Sequence, residues 1–350
     1  MANVEGITGF FEYLGAEARY FDLGRRIQKL SKEAFTKADQ LATPYPHAYL
    51  GNAWLGVVFW TQANKASPMV WSLKLPLDEM GFLAPGERDQ FLQQLLLSIG
   101  SNIQAAQSGQ QLSAVLDNNP YAFSLPQDRQ AAFHAKVSAI LIRPPSQFFQ
   151  AAHDYLASPN DEAWQNLGIQ GLADVTARWQ DYQTLLKQGL KQAPAPAFIG
   201  FAQLLEHEAI NASLCQTLID RLHCELQTDQ PNSNVIAAAI RGMSHSQATG
   251  LRRQALIKSM ALMAEPDVEV VAAIASRCSA DLADTELGLQ FLELLAKLGH
   301  DNFIQVVADL MALPDLKPSL MQALRHPQRS ATLMAAIGAL FERVQAGGNG

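Results

Sequence analysis

The chain has 350 residues, of which 48% are hydrophobic and 17% charged, and it carries a formal charge of −7. That is apolar enough to exclude a disordered chain, and long enough for two domains at roughly 150 residues each. The acidic balance argues against a chain whose main task is to neutralise nucleic-acid phosphates or to dock on acidic lipid. Three cysteines, Cys215, Cys224 and Cys278, form no disulfide framework and suit a reduced, cytoplasmic protein. The start, MANVEGITGFF, has no basic residue before Arg19, so it does not read as a secretory signal, and the apolar run Ala53–Trp60 is far shorter than the ~20 residues that span a bilayer.

In chain order, TGFFEYLGAEA reads as a short helix, and ARYFDLGRRIQKL as one half-buried strand with Phe21, Leu23 and Ile27 on one side. Ser31 is placed to cap a helix over KEAFTKADQL, which the loop holding Pro44 and Pro46 ends. AWLGVVFWTQ and PMVWSLKLP, joined by ANKAS, predict an antiparallel hairpin that makes a small sheet with the earlier strand. The helix beginning near Pro85, with Phe91, Leu92, Leu95, Ile99 and Ile103 on one stripe, is the predicted cover.

Between hairpin and helix lie Leu77, Asp78 and Glu79. Pro76 closes the strand and Gly81 permits a sharp turn. Adjacent carboxylates point in different directions on a strand or a helix, so Asp78 and Glu79 read as turn and cap residues before they read as a paired acid and base.

Residues 107–126 read as a polar linker, and everything after them as helical. Helix starts are expected at Pro126 with Asp128, at Ser158 and Pro159 with Asp161 and Glu162, and at Pro266 with Asp267 and Glu269. Stripes at helical spacing follow, such as Val235, Ile236, Ile240 and Met243, and Leu287, Phe291, Leu294, Leu295 and Leu298. Segments aligned on Ile199, Val235, Val268 and Phe303 step by 36, 33 and 35 residues. That period suits stacked helix pairs of a HEAT-like solenoid, with an irregular helical bundle as the rival. The expected fold is therefore mainly α: a small α+β domain with a short antiparallel sheet over 1–110, an all-α helical-repeat domain over 111–345, and a flexible tail over 346–350.

The candidate chemistry is sparse. EHEAINASLCQTLIDRLHCE gathers Glu206, His207, Glu208, Cys215, His223 and Cys224. On one continuous helix, however, His207 and His223 stand about 160° apart and Cys215 and Cys224 about 180°, which does not build a metal site. RGMSHSQATG holds Ser244, His245 and Ser246 but lacks the second glycine of a nucleophile elbow, so it reads as a helix-to-helix turn. No glycine-rich phosphate fingerprint occurs, and no cofactor is expected. Trp54, Trp60 and Trp71 read as bulk of the sheet, not as a stacking platform for bases.

WSLKLPLDE, followed by an all-helical half, resembles an uncharacterised bacterial family of unknown function with an LDE signature, here Leu77, Asp78 and Glu79. The resemblance implies a bacterial, cytoplasmic protein and no particular activity. It directs attention to Leu77, Asp78 and Glu79 as an interaction or interdomain contact. The leading expectation is a protein-interaction or scaffold module without catalytic or metal-binding residues. The alternatives are an enzyme using Asp78 or Glu79 as acid or base beside His47 or Arg26, and nucleic-acid binding through Arg19, Arg25, Arg26 and Lys29, or through Arg252 and Arg253.

Overall fold

A computed structural model describes residues 4–62, 65–99, 116, 119–160, 162–263, 265–313 and 315–347. The chain divides into two compact units, Met1–Val137 and Ser138–Gly350.

The first unit runs α1 (Gly6–Tyr13), β1 (Glu17–Asp22), β2 (Gln28–Leu30), α2 (Lys32–Asp39), β3 (Asn52–Trp60), β4 (Met69–Pro76), α3 (Pro85–Ile99) and α4 (Gln127–Ile140), the last crossing into the second unit. The strands form one antiparallel sheet in the order β2-β1-β3-β4. Alternation sends Tyr20, Leu55, Val57, Phe59, Trp71 and Leu73 to one face, where α1, α2 and α3 cover them with Phe10, Phe11, Phe35, Phe91 and Leu95. Trp71 sits at the centre, 4.7 Å from Phe59 and 5.4 Å from Phe11. The opposite face carries Phe21, Trp54, Gly56 and Val58. Phe133 of α4 meets Phe21 edge-on at 5.2 Å, and a Cβ on Gly56 would come within 3.0 Å of the Phe133 ring.

The predicted hairpin, the Ser31 cap and the covering helix are all present; the Ser31 side chain accepts from Ala34 N at 3.0 Å. Ile103 lies outside the described residues. What reads as one strand over 18–30 is a hairpin of two, because the chain turns through Leu23–Ile27 under the hold of Asp22. Most of the expected linker also lies outside the described residues, but its end belongs to the sheet: Lys74 N donates to Tyr121 O at 2.7 Å and Phe123 N to Ser72 O at 3.1 Å, pairing this stretch of the β4 edge.

The second unit is built from α5 (Phe149–Ala157), α6 (Ile169–Ala177), α7 (Gln183–Gln192), α8 (Ala195–Leu205), α9 (Ala212–Leu226), α10 (Ser233–Met243), α11 (Thr249–Leu262), α12 (Val268–Arg277), α13 (Thr285–Ala296), α14 (His300–Met311), α15 (Lys317–Leu324) and α16 (Ala331–Gly347). Helices pack against the next but one: α6 on α8, α8 on α10 and α10 on α12 in one row, and α5, α7, α9, α11, α13 and α15 successively in another. Ile199, Val235 and Val268 fall in α8, α10 and α12, so the 33–36-residue step is the step along the first row. Phe303 falls in α14, which packs on α13, α15 and α16.

The expected start at Ser158 is instead the end of α5, and only the 3-10 turn Ala163–Asn166 follows it. Asp267 does cap α12, accepting from Glu269 N at 2.8 Å. Helix α16 continues to Gly347, and the last three tail residues lie outside the described residues.

Candidate functional site

The antiparallel order brings the end of β1, the start of β2, the start of β3 and the end of β4 to one end of the sheet. Three connections meet there and are stitched together by backbone hydrogen bonds. Leu23 N donates to Trp54 O at 2.6 Å, Tyr45 N to Gly81 O at 2.8 Å, and Leu77 N to Gly51 O at 2.9 Å.

The first connection is organised by Asp22, which is fully buried. Its Oδ1 accepts from the Tyr45 hydroxyl at 3.1 Å, its Oδ2 lies 3.5 Å from Gln28 Nε2, and the Gly24 amide also donates to it. Burial pushes its carboxyl up to about 7; these donors and the charge of Arg129 oppose the shift without cancelling it. Arg129 Nη2 donates to the carbonyls of Leu23 and Gly24, both at 2.6 Å. The Tyr45 phenol is raised by its own burial and by the charge of Asp22. His47 is lowered by its burial and by the charge of Arg26. Arg25 lies over the Tyr49 ring at 5.1 Å.

In the second connection Tyr49 and Asn52 exchange both backbone bonds, at 3.0 and 3.1 Å, around Leu50 and Gly51 with φ of 50° and 68°. A tight turn with two left-handed central residues favours Asn-Gly or Gly-Gly. Leucine stands at the first of these positions, and 71% of it is exposed.

The third connection carries the LDE signature, whose three residues do three different things. Leu77 is partly buried against the core and bridges to Leu83. Asp78 Oδ1 accepts from Met80 N and Phe82 N, both at 2.9 Å, while Gly81 takes φ of 84°. Glu79 is exposed. The turn so fixed holds Met80 out with 75% of it exposed. Asp78 is thus committed to its own backbone, as an Asx-type turn requires.

Arg19 pairs with Glu17 at 3.3 Å and lies over Trp60, and Lys29 is exposed on β2. Arg252 is buried, its Nε and Nη2 gripping Asp281 at 2.7 and 2.8 Å, with Arg253 Nε 3.4 Å from the same carboxylate. Of the tryptophans, Trp71 is core, while Trp54 is met by Phe123 edge-on at 4.9 Å and by Lys74 at 4.8 Å.

The two polar motifs of the helical unit meet around the buried arginine. EHEAINASLC is not one helix: α8 stops at Leu205 and α9 starts at Ala212, so His207 and Cys215 belong to different elements. Glu206 takes Arg277 at 2.9 and 3.1 Å. Ser246, in the predicted helix-to-helix turn, donates to Ile210 O at 3.0 Å and hydrogen-bonds Cys215, and its own carbonyl accepts from Arg252. Asp22, Tyr45, Arg277 and Asp281 carry no motif, and only the fold reveals them.

Fold and site together define a mainly helical chain with an N-terminal antiparallel sheet whose hydrogen-bonded turns present apolar residues. The chain belongs to DUF3549, a family of proteins of unknown function whose profile matches residues 2–341. Neither the curated proteins nor the solved structures give a match to it.

Proposed function

We propose that this is a cytoplasmic bacterial protein-interaction module whose contact surface is the loop end of the N-terminal sheet. The observation that carries the reading is the exposure of Leu50 and Met80, 71% and 75%, on two turns stitched to one another. At Leu50 the backbone favours glycine or asparagine, so leucine there weakens the turn and puts apolar surface in water. Held rigidly, such side chains lose little freedom on binding. Leu77, Asp78 and Glu79 serve the same surface, by anchoring, shaping and charging the turn that bears Met80. The alternate-helix rows support a HEAT-like solenoid as the scaffold half of the molecule. The three free cysteines support a reducing compartment, and the LDE resemblance supports a bacterial one.

Affinity capture of the tagged full chain, with and without Leu50→Asn and Met80→Ser, tests this. Loss of a specific binding protein at unchanged or higher Tm is expected. Recovery of the same proteins by both forms overturns the reading.

A second reading, acid–base chemistry, is favoured by one observation, the buried Asp22 carboxyl near neutrality with the Tyr45 hydroxyl on its Oδ1 at 3.1 Å. Metabolite turnover abolished by Asp22→Asn, with the fold retained, is its signature.

A further inference from the structure

We infer that the partner at the loop end of the sheet is a second copy of this chain, docked about a two-fold axis. The inference rests on the interaction reading above and names its partner.

A two-fold interface brings one patch against itself, so the patch must be self-complementary: apolar at its centre, with opposite charges disposed on either side of the axis. The strand order supplies that layout. Arg25 and Arg26 lie on the loop joining β1 to β2, Leu50 heads β3, and Asp78, Glu79 and Met80 follow β4. With strands spaced about 4.8 Å apart, the basic and acidic flanks are separated by roughly 10 Å across the leucine. Rotation by 180° about an axis near Leu50 sets the arginines of one copy opposite Glu79 of the other, brings the two Leu50 side chains together at the axis, and lays each Met80 along the side of that apolar centre.

Each turn is fixed from within, by Gly51 and the paired Tyr49–Asn52 bonds on one side and by Asp78 Oδ1 on the other, so the patch does not have to be ordered on association. The apolar pair supplies the affinity, and the charges set orientation and exclude the wrong register. Arg25, held over the Tyr49 ring, is the more firmly placed of the two cations.

Sedimentation equilibrium of the full chain over a wide concentration range is the test. The unaltered chain is expected to form a reversible dimer. Leu50→Asn is expected to weaken it at least tenfold without lowering Tm. A chain carrying Arg25→Glu with Arg26→Glu, and separately one carrying Glu79→Arg, are each expected to be monomeric, and an equimolar mixture of the two to dimerise again. The mixture is decisive, because a misfolded variant does not restore assembly and a merely disrupted surface is not rescued by its complement.

An unaltered chain that stays monomeric, or a dimer indifferent to Leu50→Asn and Glu79→Arg, overturns the inference. If a monomeric chain still captures a protein in a Leu50- and Met80-dependent way, the interaction reading survives and the second copy alone is wrong. If capture is also indifferent to both residues, the two fall together.

Discussion

In the sheet unit Asp22 and Asp39 are buried among amide and hydroxyl donors, and the guanidinium that acts on each is bound elsewhere: Arg129 to the carbonyls of Leu23 and Gly24, and Arg88 to the carbonyl of Asp39 and, through Nε and Nη2, to the carboxylate of Asp89. In the helical unit Glu206 and Asp281 are gripped in two-toothed fashion by Arg277 and Arg252. The difference follows what each carboxylate holds. Asp39 caps α1, taking Ile7 N and Thr8 N at 2.9 and 2.8 Å and the Thr8 hydroxyl at 2.7 Å, and Asp22 closes a loop; both tie backbone to backbone. Glu206 and Asp281 tie side chains of α12 and α11 to the ends of other helices, a reach that suits arginine's long planar fork. Burial without a direct ion pair leaves the acids of the sheet unit displaced toward protonation, Asp22 to about 7 and Asp39 also upward.

Removing an acid from the helical unit should therefore be the most damaging change. Asp281→Ala leaves the Arg252 guanidinium buried and unbalanced, a loss of about 3–5 kcal/mol in urea unfolding, whereas Arg252→Met combined with Asp281→Leu should recover much of it. A single-variant loss under about 1 kcal/mol would erase the contrast between the units, since that is the size expected of an exposed pair.

Asp22 gives the next largest effect, and its sign is opposite to that of an ordinary salt-bridged acid. Its folded pKa near 7 lies above the unfolded value, so the native state binds the extra proton between them. Stability should thus fall as pH rises from about 4 to about 7, with a ceiling on the order of 4 kcal/mol that loop relaxation and water entry reduce. Asp39, also raised, adds a slope of the same sign, so Asp22→Asn should flatten only part of the profile. Equal urea midpoints at both ends of that window in the unaltered chain would remove the claim that this carboxyl is buried without adequate compensation. Smaller still is Gly6→Ala: φ of 79° and a Cβ that would run into Asp39 Oδ2 should together cost roughly 2–3 kcal/mol by straining α1's first residue and dislodging its cap.

Much of this architecture is visible in the chain. The Val-, Trp- and Phe-rich runs of β3 and β4, the Ser31 cap and the apolar stripes of α10 and α13 are local signals that tertiary structure did not override. The β1–β2 hairpin was hidden because Phe21, Leu23 and Ile27 stay in phase across it, and Gly-Arg-Arg is not a recognised turn sequence. The break between α8 and α9 was hidden by EHEA, whose two glutamates and alanine are good helix formers. Leu77, Asp78 and Glu79 were legible as a turn because Pro76 and Gly81 bracket them. Asp22 and Tyr45 were not, since one is an acid at a strand end and the other an aromatic between prolines, and only the sheet's closing geometry makes them partners. Arg252 looked like a surface cation for the same reason: its partner is 29 residues away on another element.

Leu50 and Ile142 allow the finest discrimination between the units. Ile142 lies just past the end of α4 with φ of 54°, in the position where Arg143 N and Ile142 N bond back to Ser138 O and Ala139 O, and 94% of it is exposed. That is the site at which helices commonly place glycine, and a β-branched residue there costs about 1 kcal/mol or more. Leu50 bears a similar strain in the sheet unit. Substituting asparagine, which tolerates the left-handed region, should raise stability at both sites by a few tenths to about 1 kcal/mol, read from thermal or urea midpoints. The backbone gain is common to the two; the loss of contact is not. Leu50→Asn should gain stability and lose self-association, because its strain is retained for a surface that meets a partner, whereas Ile142→Asn should gain stability and leave assembly unchanged. Equal effects of the two on assembly would mean that exposed apolar residues in left-handed backbone mark stickiness in general, and that the loop end of the sheet has no privileged role.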